Sequence, residues 1–196
     1  CITTRFVFEA QVKGSCAVQC PTRVVIISAF IWKRAMAASK EDDTRPSILS
    51  HPVNLRKRMV PPLPEILLEM SASAQCIADN KFELHNLVGE IKEAILKIDD
   101  DFVKKLWGHD ANSVISKQGS KDRVDYFGFT SWCKLGFYEA KPIWVSSIGM
   151  VGSVFMNLIV LVDTSCGNGI EAWVTLQDIA ILEGDQELFS LASIDP

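Results

Sequence analysis

Three histidines, a basic triplet and an acidic triplet are the residues of this chain whose chemistry needs weighing first. His51, His85 and His109 are the side chains best suited to general-base work near neutral pH. His51 precedes a proline at the entry to an apolar run, His85 falls in the first turns of a periodic segment, and His109 stands in a polar stretch. None has an aspartate four residues on and none opens a metal-ligand spacing, so all three read as non-catalytic. No G-x-S-x-G phrase marks a serine nucleophile.

Arg56-Lys57-Arg58 is the densest basic cluster. If its segment is a strand, Arg56 and Arg58 share one face and could grip a polyanion such as a phosphorylated cofactor. The same cluster also suits the solvated edge of a sheet. Asp99-Asp100-Asp101 lacks the alternating oxygen ligands of a calcium loop and reads as solvated surface near a helix end. C-G-N-G at 166–169 is too short for a phosphate-binding fingerprint, and a turn accounts for it. Cys16 and Cys20 are the only close cysteine pair and complete no zinc pattern, while Cys133 and Cys166 lie in apolar segments as small hydrophobes. The six cysteines therefore read as reduced and structural in a cytosolic protein, and no metal site is expected.

The elements that would position such groups follow from periodicity. R-F-V-F-E-A (5–10) reads as a strand, and 20–39, apolar on nearly every side with Pro21 at a first helical position, as a buried helix. Residues 47–59 read as a strand stopped by Pro61, Pro62 and Pro64. Asn80 and Glu83 form a capping box for one long helix with Leu84, Leu87, Val88, Ile91, Ile95, Ile98, Phe102 and Leu106 on its apolar stripe and Gly108 beyond it. Strands are expected in 124–140, at 142–147, over 153–163 and after the turn at 166–169. Thr175 and Asp178 signal a final helix reaching Ala192.

At 196 residues and 48% hydrophobic, with five Trp and ten Phe, the chain can bury a sizeable core. A net charge of −4 argues against nucleic acid as partner, and no apolar run is long enough to span a membrane. The class is mixed α/β (α+β).

Four phrases, in order, carry more than physics does. P-T-R-V-V-I-I-S-A-F-I-W-K (21–33), V-N-L-R-K-R-M-V-P-P-L-P-E (53–65), F-T-S-W-C-K-L-G-F-Y-E-A followed by K-P-I-W-V-S (129–146), and L-V-D-T-S-C-G-N-G-I-E-A-W-V-T-L (161–176) resemble the plant BAHD acyltransferases, above all their alkaloid-type branch, the vinorine synthase-like enzymes. The resemblance runs over nearly the whole chain. It implies a chloramphenicol-acetyltransferase-like domain, a mixed sheet flanked by helices, with 1–45 as crossover segment and buried helix and 46–196 as the C-terminal domain. It implies acyl transfer from acyl-CoA, as co-substrate and without a bound cofactor, to a hydroxyl or amine of a secondary metabolite, with an alkaloid-type acceptor expected.

In that family the general base is the His of an HxxxD motif in an N-terminal half that this sequence does not contain. A D-F-G-W-G phrase would stand between Ala140 and Lys141, where here the flanks abut, and a shorter gap follows Glu65. No catalytic residue is therefore assigned, and the chain alone is expected to be incompetent. By residue-level match, Thr130 and Trp132 fall on the channel or oxyanion side, Lys134 on the acceptor side, and Ser28, Arg56 and Arg58 on the CoA side. The family implies a cytoplasmic, usually monomeric protein, here with an exposed domain interface through which it could associate. The alternative reading is a non-catalytic CoA- or partner-binding module from a truncated gene copy.

Overall fold

The computed structural model describes residues 2–9, 21–38, 46–62, 71–79, 81–107, 124–136, 138, 157–176, 182 and 185–194. Seven strands form one mixed sheet: β1 (Ile2–Glu9), β2 (Ser47–Asn54), β3 (Ser71–Ala78), β4 (Asp125–Ser131), β5 (Asn157–Asp163), β6 (Gly169–Leu176) and β7 (Ala192–Ile194). Their spatial order is β3-β2-β4-β5-β6-β1-β7. The pairs β2–β4 and β4–β5 are parallel and the others antiparallel. The helices whose bounds fall among the described residues are α1 (Arg23–Ala38), α2 (Leu84–Leu96), α3 (Asp100–Trp107) and α4 (Gln186–Leu191).

Alternation along the strands builds the core. Phe6, Phe8, Phe127, Phe129, Ile159, Leu161, Ala172 and Val174 are all buried and point to one face. Against that face lie α1, whose Phe30 meets Phe8 edge-on, and α4, whose Phe189 ring meets Phe6. Helix α1 is buried on most sides, as its apolar composition requires. It starts after Thr22, whose hydroxyl accepts the Val25 N–H, so Pro21 precedes the cap and does not open the helix. At the far end Arg34 donates to both Asp185 and Glu187, tying α1 to α4. Burial works to raise the Asp185 carboxyl, but Arg34 and the Glu187 and Leu188 amides outweigh it and hold it below its ordinary range.

Three expected boundaries are corrected. The long helix breaks after Leu96: Asp99 Oδ1 accepts the Phe102 N–H at 2.8 Å and starts α3. The cap of α2 is Glu83, with no side-chain capping bond, so the expected capping box is not formed; Asn80 lies outside the described residues. Thr175 belongs to β6, and α4 is opened by Asp185, which accepts from the Glu187 and Leu188 amides, so the last helix is short and ends in a strand. Asp178, Gly108 and the segment 142–147 lie outside the described residues.

At Gly169 a Cβ would stand 2.6 Å from the Phe8 carbonyl oxygen on β1, a contact only glycine avoids.

His51 sits on β2 with Leu49 and Val53, buried, with Nδ1 3.0 Å from the Pro52 carbonyl and Nε2 without a hydrogen-bond partner among the described residues. Burial lowers its pKa from the ordinary 6.5, only partly offset by the Pro52 bond. The unfolded chain therefore binds the extra proton first. Stability from this residue is full above pH 6.5 and is lost as pH falls from there toward the lowered folded-state value. Thermal melts between pH 7.5 and 5 should show that decline, and His51→Asn should flatten it.

Candidate functional site

Strand β4 ends at Ser131, not at Ala140, and the chain turns over 132–135. The Trp132 N–H makes one last sheet bond, to the Leu161 carbonyl at 2.7 Å, and the Leu135 N–H returns to the Trp132 carbonyl. Lys134 adopts φ 67° and Gly136 φ 63°, both left-handed. Beside this turn, β5 ends at Asp163, and the loop to β6 closes on Thr164. Its Oγ1 accepts the Gly169 N–H at 2.9 Å, and its carbonyl accepts the Gly167 N–H at 2.8 Å, with φ 74° at Gly167.

These two turns and the start of α1 enclose a cleft of about 380 Å³ lined by Arg23, Trp132, Lys134, Tyr138, Asp163 and Thr164 among others. Arg23 reaches the Asn168 carbonyl at 3.3 Å, and the Asp163 carboxylate accepts the Lys134 N–H at 2.6 Å. Behind the cleft, Tyr138 donates to the buried Glu171 at 2.8 Å, and Arg5 Nε lies 3.8 Å from the same carboxylate. The Arg5 guanidinium covers the Trp173 ring at 5.6 Å. The cleft thus offers an indole, an ammonium and a guanidinium to a polar ligand with an apolar body.

Of the residues singled out in the sequence, Trp132 and Lys134 come together in this cleft. Thr130, half-buried on β4 opposite Val160, is not among its lining. Its neighbours Phe127 and Phe129 face the core, which fixes Thr130 on the other face of the sheet. Ser28 is fully buried in α1, its hydroxyl without a partner among the described residues.

Arg56 and Arg58 do not share a strand face. β2 stops at Asn54, whose side-chain oxygen accepts the Arg56 N–H, and a turn follows in which Leu55 O accepts from Arg58 and Met59. Arg58 donates instead to the Ile95 and Ile98 carbonyls at 2.8 and 2.7 Å, closing the end of α2. His85 is exposed on α2, and His109 lies outside the described residues.

Cys166 is exposed on the loop after β5, not packed in an apolar segment; a hydrogen bond shared with Thr164 leads the causes that lower its pKa. Cys76, by contrast, is pushed up to about 12 by burial, with Glu90 adding to it. Arg23, Tyr138, Asp163 and Thr164 were missed in the sequence. The signal was there for the turn at least, in Gly136 and in Asp163-Thr164 before C-G-N-G.

The mixed sheet, its order and its helices define a chloramphenicol-acetyltransferase-like fold. Superposition on the crystal structure of vinorine synthase gives a TM-score of 0.72 at 25% identity, over 99% of this chain and 48% of that one. A TRI101 structure from F. graminearum, complexed with coenzyme A and T-2 mycotoxin, shares the fold at TM-score 0.69 and 16% identity, over 98% of this chain and 49% of that one.

The profile of the Transferase family matches residues 8–188, and the chain belongs to that family, the BAHD acyltransferases. Among curated proteins it is similar to a limonoid 7-O-acetyltransferase of Citrus sinensis, 38% identical over all of this chain and 49% of the relative. A stemmadenine O-acetyltransferase of Catharanthus roseus is 30% identical over 99% of this chain and 48% of the relative. The chain spans about half the length of the curated relatives it matches. Among the described residues, no helix is long and apolar enough to cross a membrane.

Proposed function

We propose that the chain is the C-terminal portion of an acyl-CoA-dependent O-acyltransferase of plant secondary metabolism. The observation that carries this reading is the family match over 8–188, with Trp132 and Lys134 brought to one cleft. The acceptor is an alcohol of limonoid or alkaloid type, the two classes named among the relatives. In the complete reaction a histidine of the other half takes the hydroxyl proton. The freed oxygen attacks the thioester carbonyl, and the CoA thiolate leaves. This portion contributes the wall carrying Trp132, which steadies the acyl group or oxyanion, and Lys134, which faces the acceptor.

Without the HxxxD histidine and the D-F-G-W-G phrase the chain alone turns over nothing. A lost general base costs about 10²–10⁴-fold, and a lost half-channel costs further through positioning. In keeping with internal shortening, the alignment to the limonoid 7-O-acetyltransferase runs over 231 residues against 196 in the chain. Purified chain incubated with acetyl-CoA and a limonoid or alkaloid alcohol is expected to give no acetylated product by mass spectrometry. Product would overturn the incompetence of the chain, and absence of calorimetric heat with millimolar CoA would remove the CoA-side assignments.

The half-length match and the exposed Ile77 (61%) also favour a second reading, a CoA- or partner-binding module that associates through an uncovered face. Sedimentation of the chain as a dimer or larger species would support that one.

A further inference from the structure

We propose that Asp163 and Glu171 are positioning residues for the substrate side of the cleft, fixing from two neighbouring strands the turn that carries Trp132 and Lys134. Lysine has no intrinsic reason to occupy a left-handed backbone conformation, which crowds its Cβ against the backbone. Lys134 does so at φ 67°. Its own N–H donates to Asp163 Oδ2 at 2.6 Å, a charge-assisted bond that holds the turn at its tightest point.

Four residues further on, the Tyr138 hydroxyl donates to Glu171 Oε2 at 2.8 Å. Glu171 is only 3% exposed, and Arg5 Nε lies 3.8 Å from it. A carboxylate in such a place is tolerated only when partnered. The two acids stand one register step apart on adjacent strands, Asp163 pairing with Ile170 and Val162 with Glu171, so alternation sends their side chains to opposite faces of the sheet end. Lys134 within the turn and Tyr138 beyond it are therefore both tied to the same end of the sheet, and Trp132, Lys134 and Tyr138 all line the cleft. Asp163 acts on substrate through the course it imposes on the turn, whose Trp132 would meet the acyl group of acetyl-CoA, and Glu171 through Tyr138. This functional half rests on the reading above that the cleft faces substrate.

The test uses the 196-residue chain with Asp163→Ala, Asp163→Asn, Glu171→Gln, and Asp163→Ala combined with Lys134→Gly. In the wild type, NMR should show the strong intraresidue amide-to-Hα contact of a positive φ at Lys134. Asp163→Ala should lose that signature and lower Tm by roughly 5 °C. Asp163→Asn should keep both, because its amide oxygen can accept the same bond. In the Lys134→Gly background Asp163→Ala should cost less than half as much, since glycine holds the conformation unaided. A positive φ that survives Asp163→Ala, or strictly additive losses in the double variant, would overturn the anchoring.

For the substrate half the probe is acetyl-CoA. Asp163→Ala and Glu171→Gln should bind it roughly tenfold more weakly, with Asp163→Asn close to wild type. Equal binding by all variants would overturn the positioning role. A wild-type chain that binds no acetyl-CoA would remove the substrate half, while the NMR and melting arms still decide the anchoring.

Discussion

Trp32→Ala is expected to destabilise the chain by about 4 kcal/mol, the range for deleting a large buried aromatic. Trp32 is fully buried in α1, and its indole N–H donates to the Ser47 hydroxyl at 2.6 Å where β2 begins. Together with the Arg34 ties at the far end, the bond sets the rotation of a helix that is apolar on nearly all sides. Alanine would leave both a void and a buried, unpaired Ser47 hydroxyl. Trp32→Phe separates the two effects. It keeps most of the volume and should cost about 1–2 kcal/mol for the orphaned hydroxyl. Adding Ser47→Ala to Trp32→Phe should recover most of that smaller loss. Urea unfolding followed by circular dichroism would measure each step as a shift in midpoint at constant slope.

Arg58→Ala should cost about 3 kcal/mol, because two charge-assisted bonds to the Ile95 and Ile98 carbonyls disappear together. Arg58→Lys should restore about half, since an ammonium cannot present the guanidinium's fork to both oxygens. Thermal melts and CoA calorimetry on the same variants decide what the residue is for. A large fall in Tm with unchanged CoA heat assigns Arg58 to closing α2, whereas an unchanged Tm with weakened CoA heat returns it to the ligand side.

Arg58 also shows why the sequence was legible in some places and not in others. The core strands and α1 were readable because burial leaves its mark on every residue: alternating Phe6 and Phe8, and a helix with scarcely a polar position between Val24 and Trp32. The break at Lys97–Asp99 was not readable from the apolar stripe, which runs through it unbroken from Ile95 to Ile98 and Phe102. Asp99 capping α3 and Arg58 absorbing the freed carbonyls made the break, and the second of these comes from a distant segment.

β3 was overlooked because S-A-S-A-Q-C-I-A has few β-branched residues; pairing with β2 from Ser47–Ala78 to Asn54–Ser71 places it. For the candidate site, Trp132 and Lys134 were legible through the family phrase. Asp163 and Glu171 were not, since nothing local says that two acids on later strands reach back to a turn. Thr130 follows from strand alternation alone, and that alternation sets it off the cleft lining.

The place of β1 in the sheet has a consequence for synthesis. Its neighbours are β6 and β7, formed by residues 169–176 and 192–194. On the ribosome both edges of β1 stay unsatisfied until about 160 further residues have emerged, roughly 10–30 s at ordinary elongation rates. During that time F-V-F at 6–8 is an apolar strand open to any passing edge. The nascent chain should therefore depend on holdase chaperones until β6 and β7 have emerged.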